Sequence, residues 1–406
     1  MVNDVARSAC TVLLRYDRRP VNAFTATYHD TTDRRLTRAD ISLRRRMQNG
    51  VGIWEAEIAG DVIAERGGPA NVPERIRRAL IATLRDAEVV EVARIRSADD
   101  AALLEGQHVL RTFNDEHAAL HDSLAAPRPP RRREPALEHV RAYFAAQLEA
   151  IERTDPVLRL RDDVEALHDL RVAVRRLRAS LRATRELFDD EWSRRLRDEL
   201  QWLGGELGPV RDLDVLLEDL RAERDEIGLD AAPIIRRLER DRRVARKRLI
   251  AALENDRYLV LVDEIRAAVD HPPVRGADVR LDRLAKREFE KLADEVSRLG
   301  ATPADDALHR VRIRTKRVRY ASELATLAGK RGTKFVRETR RFQDVLGEHQ
   351  DAVVAEARLR KFAESADAAF GAGRLVERQR LRRSQARDEL PRAWKRLRKR
   401  GRTTWA

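Results

Sequence analysis

The sequence predicts a mainly α protein, helical bundles in two halves related by a pseudo-twofold axis and preceded by a small α+β domain. Its composition, 37% charged and only 5% aromatic with many Ala, Leu, Glu and Arg residues, is that of long helices. A basic segment is written twice: Ala166-Leu167-His168-Asp169-Leu170-Arg171-Val172-Ala173-Val174-Arg175-Arg176-Leu177-Arg178 returns 141 positions later as Ala307-Leu308-His309-Arg310-Val311-Arg312-Ile313-Arg314-Thr315-Lys316-Arg317-Val318-Arg319. From Pro135 onward the apolar periodicity is helical almost throughout, and the short connections favour antiparallel neighbours.

Residues 1 to about 126 have a different texture. Short β-prone runs occur at Thr11 to Arg15, Phe24 to Tyr28, Ile41 to Arg46 and Ile53 to Ile58, and a helical run extends from Pro73 to about Asp86. Residues 127–135, with Pro127-Arg128-Pro129-Pro130-Arg131-Arg132-Arg133, resist packing and read as a linker. Residues 136–402 form the helical domain. Breaks are expected at Gly204-Gly205, Gly208-Pro209, Gly228, Pro272-Pro273, Gly300, Pro303, Gly329, Gly332 and Gly371 to Gly373, leaving room for about ten helices. In each half the basic helix is followed by one expected to end at Leu-Gly, at Leu207-Gly208 and Leu346-Gly347. Asp212 and Asp351, four residues after each Gly, are then expected to cap or open the next helix.

The chain carries 83 Lys and Arg against 69 Asp and Glu, a net charge of +14. That excess favours a polyanionic partner such as nucleic acid, anionic lipid or polyphosphate. The first 135 residues hold 22 cations and 20 anions, so the basic function belongs to the helical part. Cys10 is the only cysteine, which excludes an intramolecular disulfide or a Cys-based zinc site and fits a reducing interior. No stretch offers about 18 uncharged apolar residues in a row, so a soluble, cytoplasmic protein without membrane partners is expected.

At about 100° per residue, His168, Arg171, Arg175 and Arg178 fall at roughly 0°, 300°, 340° and 280°. His309, Arg312, Lys316 and Arg319 repeat those angles. Each stripe borders the apolar face of its helix, centred on Leu167, Leu170, Val174, Leu177 and Leu181, as suits a groove or interface. Arginine grips two oxygens with a planar fork and Lys316 offers a mobile point charge. His168 and His309 either donate to a ligand or fix the helix packing. Arg176 and Arg317 lie off the stripe and suit ion pairs or an outer contact. Arg182 continues the first stripe, whereas Glu323 takes the equivalent place in the second. No Walker loop, Gly-x-Ser-x-Gly elbow or His-Glu-x-x-His motif appears, and no carboxylate cluster is apparent beside the stripes, so no catalytic residue, metal or cofactor is expected. His117 and His121 are one turn apart but have no third ligand.

These residues resemble the CHAD domain, a helical family named for its histidines. The pattern His-x-x-Arg-x-x-x-(Arg/Lys)-(Arg)-x-Arg, followed by Leu-Gly-x-x-(Arg)-Asp, occurs in both halves across residues 136 to 402. The resemblance implies two antiparallel four-helix bundles with a basic channel between them, binding of inorganic polyphosphate, and association with polyphosphate granules and their proteins. It places His168, Arg171, Arg175 and Arg178 on one channel wall, and His309, Arg312, Lys316 and Arg319 on the other. Lys286, Arg337 and Arg341 are further candidates on other helices. The segment from Tyr28 to Arg46, with Trp54 and Glu105-Gly106, resembles a CYTH domain, the triphosphate-tunnel fold. It is degenerate: no Glu-x-Glu-x-Lys strand precedes Tyr28, and Glu55 and Glu57 follow the Trp where that family usually has Lys. Nucleic-acid binding is the alternative, although few aromatics are available for stacking and the stripes lack Asn or Gln. A metal-dependent triphosphatase or polyphosphatase is the remaining one.

Overall fold

The structure is a computed structural model that describes residues 24–48, 50–98, 101–105, 130–131, 134–227, 231–275, 279–329, 332–362 and 369–405. Cys10, the run Thr11 to Arg15, Gly106, His117, His121, Gly228 and most of the expected linker lie outside the described residues. The chain divides into two compact units, Met1–Arg128 with Leu148–Leu170, and Pro129–Gln147 with Arg171–Ala406.

The first unit is built on one antiparallel sheet. Strands β1 (Phe24–Thr31), β2 (Ile41–Gln48), β3 (Val51–Ile58), β4 (Asp61–Arg66), β5 (Val89–Ala98) and β6 (Ala101–Glu105) lie in the order β4-β3-β2-β1-β5-β6. The short helices α1 (Arg35–Arg38), α2 (Glu74–Ala79) and α3 (Ile81–Leu84) accompany them. Strand alternation sorts the side chains. His29, Leu43, Ala56 and Ile63 are cross-strand partners on one face, beside Trp54, whose ring lies 4.6 Å from that of His29. On the other face Glu55 is held by Arg44 at 2.6 Å and Arg46 at 2.5 Å, so a buried carboxylate is matched by two guanidinium groups. Asp30 sets the start of α1: its buried carboxylate accepts from the amides of Leu36 and Thr37 and from the Thr37 hydroxyl. The expected helix from Pro73 to Asp86 is two short helices meeting at Leu80.

Among the described residues nine α-helices follow the sheet: α4 (Ala136–Leu160), α5 (Val164–Ala183), α6 (Asp190–Ile227), α7 (Ala232–Leu253), α8 (Asp256–Asp270), α9 (Leu281–Ser297), α10 (Asp305–Leu327), α11 (Thr333–Arg360) and α12 (Ala369–Trp405). The succession α5, α6 is repeated as α10, α11. Helices α9 to α12 close a four-helix bundle in which each packs on the next and α12 returns to α9. The reason is legible on α9, where Leu281, Leu284, Ala285, Phe289 and Leu292 are buried at helical spacing. Phe335 near the start of α11 meets Trp405 at the end of α12, with ring centroids 5.4 Å apart, and Phe342 meets Trp394 at 5.5 Å, so these two helices run antiparallel. Burying one such side chain contributes about 1.5–3 kcal/mol. In the first half Phe144 of α4 stacks on Phe188, which meets Trp192 of α6. The far ends of α6, α7, α11 and α12 share a separate apolar core centred on Leu220, Ile234, Leu359 and Leu375.

Several expected breaks are absent. Gly204-Gly205 and Gly208-Pro209 lie inside the 38-residue α6, and Gly371 to Gly373 inside α12. Proline removes the N–H that would bond the carbonyl four residues earlier. Here that carbonyl belongs to Gly205, which is exposed and open to water, so the helix continues. Leu207-Gly208 and Leu346-Gly347 are therefore mid-helix, and Asp212 and Asp351 cap nothing.

Candidate functional site

The repeated helices α5 and α10 bring their cations together. Arg171 and Arg175 on α5 interact electrostatically with Arg312, Lys316 and Tyr320 on α10. Two carboxylates enter from the helices that follow: Asp212 of α6 is 3.3 Å from Arg171, and Asp351 of α11 is 3.8 Å from Arg312. The duplication thus extends to the ion pairs, Arg171 with Asp212 in one half and Arg312 with Asp351 in the other. Carboxylates do accompany the stripes, contrary to the sequence reading. The signal that could have found them is the 139-residue offset of the two Leu-Gly-x-x-x-Asp segments, nearly the 141 residues separating the basic helices.

Four cations face two carboxylates, and the electrostatics register the excess. Burial lowers the Lys316 pKa to about 7, helped by Arg312, Arg175 and Arg171 and opposed by Asp351. Arg175 and Arg312 are lowered as well, first by burial and then by arginine neighbours. Burial raises Asp351 above the usual carboxylate range, reinforced by Glu348 and Asp212 and opposed by Arg312 and Lys316. The Nε atoms of Arg175 and Arg312 are buried without a hydrogen-bond partner. Gly208 and Gly347 lie one turn before the two Asp residues, with no heavy atom within 4 Å of where a Cβ would stand.

The other expected residues divide. His168 is half-buried and engaged, whereas His309 is exposed and holds Gln350 Oε1 at 2.7 Å through Nδ1. Arg178 is exposed. Arg319 is instead buried in its bundle, 3.5 Å from Glu323 and 3.0 Å from the Tyr320 hydroxyl, to which it donates. Glu323 also binds Arg340 at 2.9 Å, so it neutralises two arginines. Arg176 lies near Tyr143. Arg182 joins Arg197, Arg314 and Arg317 in a second basic group. Arg337 is exposed, Arg341 pairs with Glu338 at 2.9 Å, and Lys286 lines a separate cavity. Among the described residues no cluster of three or more His, Cys, Asp or Glu side chains is placed to hold a metal ion, and no helix is long and apolar enough to cross a membrane.

The paired helices α5 and α10 thus present a duplicated cation cluster that its two carboxylates only partly neutralise. The CHAD domain family matches residues 142–360, more than half of the chain, and the protein belongs to that family. PptA from Streptomyces chartreusis superposes with a TM-score of 0.56 at 25% identity, covering 64% of this chain and all of that one. The crystal structure of the CHAD domain from the plant Ricinus communis gives 0.54, also at 25% identity, covering 68% and 95%. Two uncharacterized proteins of Mycobacterium tuberculosis, from strains CDC 1551 / Oshkosh and H37Rv, are 27% identical over 482 residues and align with 95% of this chain and 92% of their own. The N-terminal sheet is compatible with the tunnel-fold resemblance.

Proposed function

We propose that the protein binds inorganic polyphosphate at the cluster formed by Arg171, Arg175, Arg312 and Lys316, as the basic channel implied by its family resemblance requires. The observation that carries this reading is the surplus of cations over Asp212 and Asp351, felt most strongly at Lys316. A chain of phosphates supplies regularly spaced negative charge and oxygens for the guanidinium forks, without demanding base recognition. Binding is the whole of the proposed activity, with no hydrolytic step, and polyphosphate granules are the proposed location.

Replacing all four cations with Ala should abolish binding of long-chain polyphosphate while circular dichroism retains the helical signal. Undiminished affinity in that folded variant would overturn the assignment. Competition with single-stranded RNA at fixed salt separates the reading from nucleic-acid binding, since preference for RNA favours the latter. Phosphate release with magnesium or manganese would contradict the non-enzymatic reading.

A further inference from the structure

A cavity of about 770 Å³ lies where the starts of α4 and α9 meet the ends of α10 and α12. Its lining includes Ala136, Val279, Ala325 and Ala328, which are apolar, together with His139 and Trp405. His139 is 1% exposed, yet neither ring nitrogen has a hydrogen-bond partner, and the Trp405 Nε1, in a side chain also nine-tenths buried, is equally unpaired. Buried polar groups left unpaired cost about 1–3 kcal/mol each, so two at one cavity call for an explanation. An indole offers a donor only, while a neutral imidazole offers one donor and one acceptor. Their chemistry suits an acid group whose oxygens accept both N–H donors.

The charge around the cavity agrees. Arg280 is engaged by Asp282 at 2.7 Å, which cancels its charge locally. Arg283 and Lys286 lie three residues apart on one side of α9 and contribute two further positive charges against Glu134. The volume falls within the roughly 300–1,000 Å³ typical of small-molecule sites, and such sites combine apolar walls with a few convergent polar groups. We propose that this cavity binds a small organic acid, a carboxylate or phosphate monoester with an apolar body, whose acid oxygens accept from His139 and Trp405 in the field of Arg283 and Lys286. The site uses none of the four cations assigned to polyphosphate and is independent of that assignment.

Isothermal titration of the full chain with octanoate, phenyl phosphate and inorganic phosphate tests the proposal. At least one of the two organic acids should bind with one-to-one stoichiometry, and the one preferred identifies the acid class. His139→Phe, which keeps a planar aromatic ring and removes both nitrogens, should weaken binding at least tenfold, about 1.4 kcal/mol. Ala328→Trp, which fills the cavity from a partly exposed wall, should abolish binding, and it decides the matter alone if His139→Phe fails to fold. Three results would overturn the proposal: neither organic acid binds, both folded variants bind as well as the parent, or inorganic phosphate binds as tightly as the preferred organic acid. In the first case the unpaired nitrogens serve only ordered water.

Discussion

Lys316 concentrates the electrostatics of the cluster in one titratable group. Its pKa of about 7 lies below the ordinary lysine value, so at neutral pH the unfolded chain holds a proton that the folded one partly releases. By linkage, this group's contribution to stability is unfavourable below pH 7 and is relieved as pH rises toward the unfolded value. A polyanion acts in the opposite sense by favouring the charged form. Polyphosphate should therefore bind most tightly below about pH 7, lose affinity as pH rises above it, and take up protons on binding, seen as a buffer-dependent enthalpy in calorimetry. Lys316→Met should flatten that profile and weaken binding while stabilising the free protein by roughly 1 kcal/mol at pH 7, measured by urea denaturation. An unchanged pH profile would remove Lys316 from the site. The repeated spacing and angles made the four cations legible in the sequence. The burial of Arg319 was not, because it depends on how the bundle packs around that helix, although its partner Glu323 stands one turn later on the same helix.

The helices themselves contradict local rules at two equivalent places. Leu-Gly followed by Asp is a reasonable helix stop by composition, but burial of Leu207 and Leu346 on continuing apolar faces outweighs the propensity cost of one glycine, about 1 kcal/mol. Gly208→Ala combined with Gly347→Ala meets no neighbouring atom and should raise the denaturation midpoint, each change contributing about 0.5–1 kcal/mol. The added methyl groups lie one turn from Asp212 and Asp351, so polyphosphate affinity should fall at the same time. Unchanged affinity would place the ligand away from that face. Gly401 is the contrasting case. A Cβ there would clash with the buried Phe289 ring, so Gly401→Ala should destabilise the second bundle by about 1–3 kcal/mol, read from its thermal midpoint. In the sheet, β1, β2 and β3 were legible from β-prone runs, whereas β4 to β6 were not. Strand β4 follows a two-residue turn at Ala59-Gly60, both with positive φ, and its exposed Val62 and Ala64 leave a weak apolar signal.

The charge of the whole chain sets the environment in which any anion binds. With +14 overall and the excess concentrated in the helical part, polyphosphate affinity should drop steeply with salt, by analogy with counterion release from nucleic acids. The same ligand should raise the thermal midpoint with the logarithm of its free concentration over Kd once that ratio exceeds one. A midpoint indifferent to polyphosphate at low salt would contradict binding to the folded state. The two halves were visible in the sequence because duplication leaves a register that survives divergence. The extra core shared by α6, α7, α11 and α12 was not, since it depends on helices running past positions where glycine and proline suggest an end. The packing of α12 also has a consequence for biosynthesis. Trp405 seats against Phe335, some seventy residues earlier in the chain, and α12 completes the ring with α9. A nascent chain emerging from the ribosome holds α9, α10 and α11 with their apolar faces partly uncovered until the last turn of α12 is released. The second bundle therefore assembles only after that turn emerges, with a period in which chaperones have reason to engage it.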